Sequence, residues 1–343
     1  VRVVRDGEVL DPASWTRTAR TGRVRIDDLV DPGRLLALFD DGATIVLQSL
    51  QRWWPPLTRF CRALEDALGH PTQANAYLTP PGAAGLAPHH DTHDVFVLQV
   101  HGTKHWTVRE PLVVAPLARH TSDHERCAQQ PVLFEADLHP GDCLYLPRGF
   151  VHSAATQHGA SLHLTIGVLA TTMHDVLRRI VDRAAEEPDF RRTLRSRAGA
   201  GDDDPRALVK EIVAELTHWL EGFDPDTLDD TTVHRLLGRT RRPPVLDGHL
   251  LELVGLASID DSTVVVRRAP SPPPLHERDD RVEIDLGDRT LRLPARVGAP
   301  VASLLDGAPH TVGELAASMD QSSRQVLVRR LVREGVLRTC RGA

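Results

Sequence analysis

The chain has 343 residues and is short of cysteine: Cys61, Cys127, Cys143 and Cys340 stand far apart, with no CxxC pair. That excludes a thiolate zinc site and a disulfide framework, and it fits a reducing compartment, the cytoplasm. No apolar run approaches the roughly 18 residues of a membrane helix, and no basic-then-apolar leader is visible. No excess of positive charge is present either. Lys and Arg (41) against Asp and Glu (47) leave −6, so no net field draws the chain onto nucleic acid or anionic lipid. Lysine occurs twice (Lys104, Lys210), asparagine once (Asn75) and tyrosine twice (Tyr77, Tyr145). Where arginine has replaced nearly every lysine, a surviving lysine or a lone asparagine is expected to be held by chemistry.

What remains is ordinary globular material, 41% hydrophobic and 26% charged, long enough for two or three domains. The first forty residues read as short strands and a helix. Ala43–Leu47 is a buried strand, and residues 57–68 carry apolar side chains at a helical period. From 74 to 169 the pattern becomes short β-runs (95–100, 106–108, 142–146, 161–166) between turns rich in Gly, Pro and His, which suggests an all-β sandwich or barrel. Residues 173–185 and a stretch opened by Asp204-Pro205 and running to Leu220 are amphipathic helices that need a partner surface, a helical dimerisation segment. Residues 282–293 alternate like a hairpin with Gly287-Asp288 near its tip. Thr311 to Glu314 is a capping box opening a short helix. A second helix from Ser322-Ser323 to Glu334 and a strand at 336–339 complete a winged-helix outline. The expected domains are 1–170, 171–235 and 236–343.

His89 and Asp91, two apart on a strand, point to one face, and His152 arrives from a later strand. Two imidazoles and one carboxylate leave three positions open on an octahedral ion, the arrangement of non-haem Fe(II) oxygenases; zinc prefers a tetrahedral set. On the same period-two rule His90 points away. His120 and His124 read as a solvated surface pair, and Arg148 as a brace for its turn. Arg324, Arg329, Arg330 and Arg333 sit where a winged helix would meet DNA. Residues 241–343 nevertheless hold 15 Arg and 14 acidic residues, a net +1, well short of a basic footprint. No specific DNA binding is expected.

The segments Asn75–Gly82, Ala87–Asp91, Val95–Trp106, Leu146–His152 and Ser161–Thr165 resemble the JmjC-type ribosomal oxygenases of the cupin superfamily. The resemblance implies a double-stranded β-helix (cupin/JmjC) barrel, a helical dimerisation segment and a winged-helix domain. It implies a hydroxylase dependent on Fe(II), 2-oxoglutarate and O2, acting on His or Arg side chains of ribosomal proteins, and a homodimer. His89, Asp91 and His152 would be the iron ligands, and Lys104 the cation for the distal carboxylate of 2-oxoglutarate. Asn75, Tyr77 and His163 would line the same pocket. Lys104 and Ser161-Leu162-His163 sit nearer the histidyl branch than the arginyl one. The sequence departs from the pattern at His90, where an aromatic residue is expected, and in its N-terminal portion. Two alternatives are a hydroxylase of a free amino acid, peptide or natural product, and a winged-helix regulator whose barrel senses a metal or metabolite.

Overall fold

The computed structural model describes residues 1–157, 159–194, 205–228, 232–233, 236–237, 246–287 and 289–340. The chain divides into two compact units, 1–170 with 243–343, and 171–242.

The first 170 residues run through β1 (Arg2–Arg5), β2 (Glu8–Val9), β3 (Thr16–Thr21), β4 (Val24–Val30), α1 (Pro32–Asp40), β5 (Thr44–Leu47), α2 (Pro55–Leu68), β6 (Thr72–Thr79), β7 (His89–His90), β8 (Asp94–His101), β9 (Lys104–Pro111), α3 (His124–Ala128), β10 (Val132–Leu138), β11 (Cys143–Leu146), β12 (Phe150–Ala155) and β13 (Ser161–Val168). One sheet has the order β11-β8-β13-β6-β5-β1-β2 and the other β10-β9-β12-β7. All their pairings are antiparallel. From β6 to β13 the chain passes back and forth between them, with β6, β8, β11 and β13 in the larger sheet and β7, β9, β10 and β12 in the smaller, the arrangement of a double-stranded β-helix. Burial alternates along β6, β8 and β9, as strands with one face in a core require. Val95, Val97 and Leu146 from one sheet and Trp106, Val108 and Leu138 from the other close one apolar cluster between them.

Helix α2 starts at Pro55, two residues before the apolar period becomes visible, because proline suits the first helical turn. It stops at Gly69, whose φ is +71°. Its buried Leu57 and Cys61 pack with Ala74 and Ile166 against the outside of the large sheet.

In the second unit α4 (Met173–Arg183) opens on a complete capping box between Thr172 and Asp175, and α5 spans Pro205–Glu221. Asp204, expected as its cap, lies outside the described residues, as does Asp288 at the hairpin tip.

Residues 246–340 contain α6 (His249–Val254), β14 (Val264–Arg267), β15 (Leu275–Glu277), β16 (Arg281–Asp285), β17 (Thr290–Pro294), α7 (Gly298–Leu304), β18 (His310–Thr311), α8 (Gln321–Arg333) and β19 (Leu337–Thr339). They form two three-stranded sheets, β18-β14-β19 and β15-β16-β17, around a core that includes Val265, Ile284, Leu304, Leu331 and Leu337. The expected hairpin is β16–β17; β15 joins it from just after the proline run at 272–274. The Thr311–Glu314 capping box is present, but it opens a 3-10 turn over Val312–Ala317. Helix α8 begins earlier than its serines suggest, because the cap is Asp320, whose carboxylate accepts from the Ser323 N–H at 2.9 Å.

Candidate metal centre and its cavity

Strands β7 and β12 are neighbours, and their register sets His152 directly opposite His89. Each imidazole is turned by its own backbone. The Nδ1–H of His89 donates to the Ala87 carbonyl at 2.8 Å, and that of His152 to the Phe150 carbonyl at 3.1 Å. A carbonyl can only accept, so Nε2 of each ring keeps its lone pair for a ligand. The two rings lie 4.5 Å apart between centroids. His152 Nε2 is 3.8 Å from Asp91 Oδ2. One ligand atom from each of His89, Asp91 and His152 lies within 4.8 Å of the others. Burial, and then His152, lowers the His89 pKa to about 4, with Asp91 opposing. The ring is neutral at pH 7, the form that ligates a metal.

The turn leading into β12 also holds Asp91. Gly149 donates its N–H to the Asp91 carbonyl at 2.9 Å. Its φ is +91°, and a Cβ there would stand 2.3 Å from the Val113 carbonyl oxygen. Only glycine fits. The next brace is the Arg148 backbone, whose N–H donates to the Asp94 carboxylate at 3.0 Å.

A cavity of about 960 Å³ opens from this cluster, and Asn75, Tyr77, His89, Asp91, Lys104, His152 and His163 all line it. Lys104 is 2% exposed, and its ammonium donates to Thr79 Oγ1 at 2.8 Å. Among the described residues no carboxylate pairs with it. Burial alone pulls its pKa down to about 7. His163 stacks flat on Tyr77, with centroids 4.8 Å apart, and takes the edge of Trp106 at 5.4 Å. Burial, then Lys104, drives the His163 pKa well down, and its buried Nδ1 has no hydrogen-bond partner. Asn75 uses Oδ1 to accept the Ser49 N–H at 2.9 Å and Gln73 Nε2 at 3.2 Å. It thereby fixes the left-handed turn at Ser49 (φ +57°).

His90 faces the other way, buried, with its Nε2 against the His120 carbonyl at 3.2 Å. Of the expected solvated His120–His124 pair, His124 is exposed and His120 half-buried, but the two do not share a helix face. His120 Nδ1 accepts the Leu117 N–H at 3.0 Å, whereas His124 sets Nδ1 2.9 Å from the Pro88 carbonyl and lines the cavity. Their spacing suggests one helix face, but only His124 lies in α3. Sequence reasoning also passed over Arg2, Gln48, Gln73, Trp106 and Thr165. Of these, Trp106 and Thr165 fall within segments that carry the family resemblance, and the other three have no such signal.

A double-stranded β-helix with two imidazoles and a carboxylate converging at its cavity is a cupin-type metal scaffold. Residues 47–176 match the family model described as the JmjC domain. "Ribosomal oxygenase 1" of Rattus norvegicus is 33% identical over 240 residues, 62% of this chain and 39% of that protein. "Bifunctional lysine-specific demethylase and histidyl-hydroxylase NO66" of Drosophila melanogaster is 38% identical over 167 residues, 45% of this chain and 25% of that protein. The solved structure of YcfD, a ribosomal oxygenase from Escherichia coli in complex with cobalt and 2-oxoglutarate, aligns with 87% of this chain and 78% of its own at 18% identity and a TM-score of 0.45. The chain spans less than half the length of the first curated relatives it matches. Residues 47–176 thus carry a JmjC domain, and the chain is similar there to the ribosomal oxygenases. Among the described residues no helix is long and apolar enough to cross a membrane.

Proposed function

We propose that this protein is an Fe(II)- and 2-oxoglutarate-dependent dioxygenase that hydroxylates a histidine or arginine side chain, in the first instance of a ribosomal protein. Lys104 carries the reading. A buried ammonium without a carboxylate is costly, and this one lines the same cavity as the two imidazoles and the carboxylate. A cosubstrate with an oxo-acid end for the metal and a carboxylate end for a cation resolves both. The donor set, two imidazoles and one carboxylate, suits ferrous iron with three positions left open.

His89, Asp91 and His152 would hold the ion. When bound, ferrous iron supplies activation of dioxygen coupled to oxidative decarboxylation of 2-oxoglutarate. The chain supplies everything else. Lys104, steadied by Thr79, pairs with the distal carboxylate, and Asn75, Tyr77 and His163 shape the wall beside it. Val95, Val97 and Trp106 keep that wall apolar. A volume near 960 Å³ has room for a cosubstrate and an incoming side chain.

The same reading takes 1–170 as the catalytic barrel, 171–235 as a homodimerisation segment and 236–343 as a winged-helix domain that docks substrate or is structural, in a cytoplasmic protein. Three arginines of α8 are engaged within that domain: Arg324 with Asp261, Arg329 with the Ile259 carbonyl and Arg330 with Glu334. That favours a structural or docking role over DNA binding. The test is Fe(II)-dependent succinate release, with and without candidate ribosomal proteins, followed by their intact mass. One added oxygen atom is expected. Salt-dependent specific DNA binding without turnover would overturn the reading.

A further inference from the structure

The large sheet carries a second cation into the cavity. Register aligns Arg2 with Val46, Val46 with Tyr77 and Tyr77 with His163. These four residues make one row across the sheet, and the row ends on the ring beside Lys104. Arg2 lines the cavity. Burial raises the Tyr77 pKa, while Arg2 and Thr165, both beside its hydroxyl, oppose the shift. The Arg2 Nε is buried and has no hydrogen-bond partner. Among the described residues no carboxylate forms an ion pair with its guanidinium. The mouth does carry Asp6 and Glu8 on the turn and strand after β1, yet neither pairs with it.

A guanidinium presents Nε–H and a neighbouring Nη–H as a planar pair, which matches the two oxygens of a carboxylate. Lys104 already offers the cation that a dicarboxylate cosubstrate needs. We propose that Arg2 is a specificity-determining residue that binds a carboxylate of the substrate lying next to the side chain to be hydroxylated. This rests on the oxygenase reading for its reaction, but not for its binding chemistry. The carboxylate has two sources: an acidic residue beside the target in a peptide, or the target residue's own α-carboxylate.

Calorimetric titration of the full chain, loaded with zinc and 2-oxoglutarate under argon, separates them. One arm compares histidine peptides that differ only in Glu or Gln beside the histidine. The other compares N-acetylhistidine with its amide. The expected result is about a tenfold preference for the acid in one arm. That preference falls below about twofold in Arg2→Gln and is intermediate in Arg2→Lys, which keeps the charge but loses the paired donors. The affinity for 2-oxoglutarate stays within about twofold of wild type. Equal binding of acid and amide in both arms, no binding of any probe, a preference that survives Arg2→Gln, or a 2-oxoglutarate affinity that falls with it would each overturn the proposal. Selective acid binding by a protein that releases no succinate with iron and oxygen would uphold Arg2 and remove the oxygenase reading. Melting curves check that both variants fold.

Discussion

Lys104 exists in tension between its burial and its charge. Its pKa is about 7 in the fold against 10.5 in water. Between those values the unfolded chain binds the extra proton, so the ligand-free protein gains stability as pH rises from about 7 to 10.5. Below 7 both states are protonated and the slope vanishes. A carboxylate ligand needs the ammonium. Affinity for 2-oxoglutarate therefore falls as pH climbs above 7, and binding there takes up a proton, measurable by calorimetry in buffers of different ionisation enthalpy. Lys104→Met should melt higher than wild type without ligand and bind 2-oxoglutarate at least about tenfold more weakly. A variant that melts lower and binds equally would show that the lysine is merely packed. Rarity makes Lys104 and Asn75 stand out in the amino-acid sequence, and the HxD spacing does the same for His89 and Asp91. Arg2 and His124 stay hidden there, because one is a common residue in a poorly matched segment and the other needs its loop folded back onto Pro88.

The turn Pro147–Phe150 and strand β12 form the element on which the centre depends, since Gly149 holds the Asp91 carbonyl while β12 delivers His152. Gly149→Ala meets both a left-handed φ and the Val113 carbonyl. The expected loss is about 1–3 kcal/mol from the backbone alone, seen by urea denaturation, with weaker metal binding in the fraction that folds. Unchanged stability and metal affinity would mean that the turn can shift freely. Alternating burial makes the β-elements legible over 74–169, because period-two patterning is a local property. The sheet order is not local. The pairing of β6 with β13 rather than with β8 is settled by closure of the barrel, and no short window of sequence carries that.

In the single chain, α5 leaves Leu208, Val209, Ile212 and Val213 exposed, as α4 leaves Met173, Leu177 and Val181. Apolar faces of this extent belong against a partner, and the proposed dimer supplies one. Val209→Glu with Val213→Glu should convert a dimer to a monomer in sedimentation equilibrium while 2-oxoglutarate binding persists; a wild type monomeric at micromolar concentration would remove the dimer. These helices announce their amphipathic character in sequence, but the occupant of their apolar face does not show there, since periodicity reports a stripe and not what covers it.

The most direct trial is anaerobic titration of the protein with Fe(II) and 2-oxoglutarate, followed by visible absorption. One equivalent of each should give a charge-transfer band, the signature of an oxo acid chelating ferrous iron. The band should be lost in Asp91→Ala and in His152→Ala, and its appearance in Lys104→Met should need far more 2-oxoglutarate. No band in wild type, or the same band in all four proteins, would contradict a metal held by His89, Asp91 and His152.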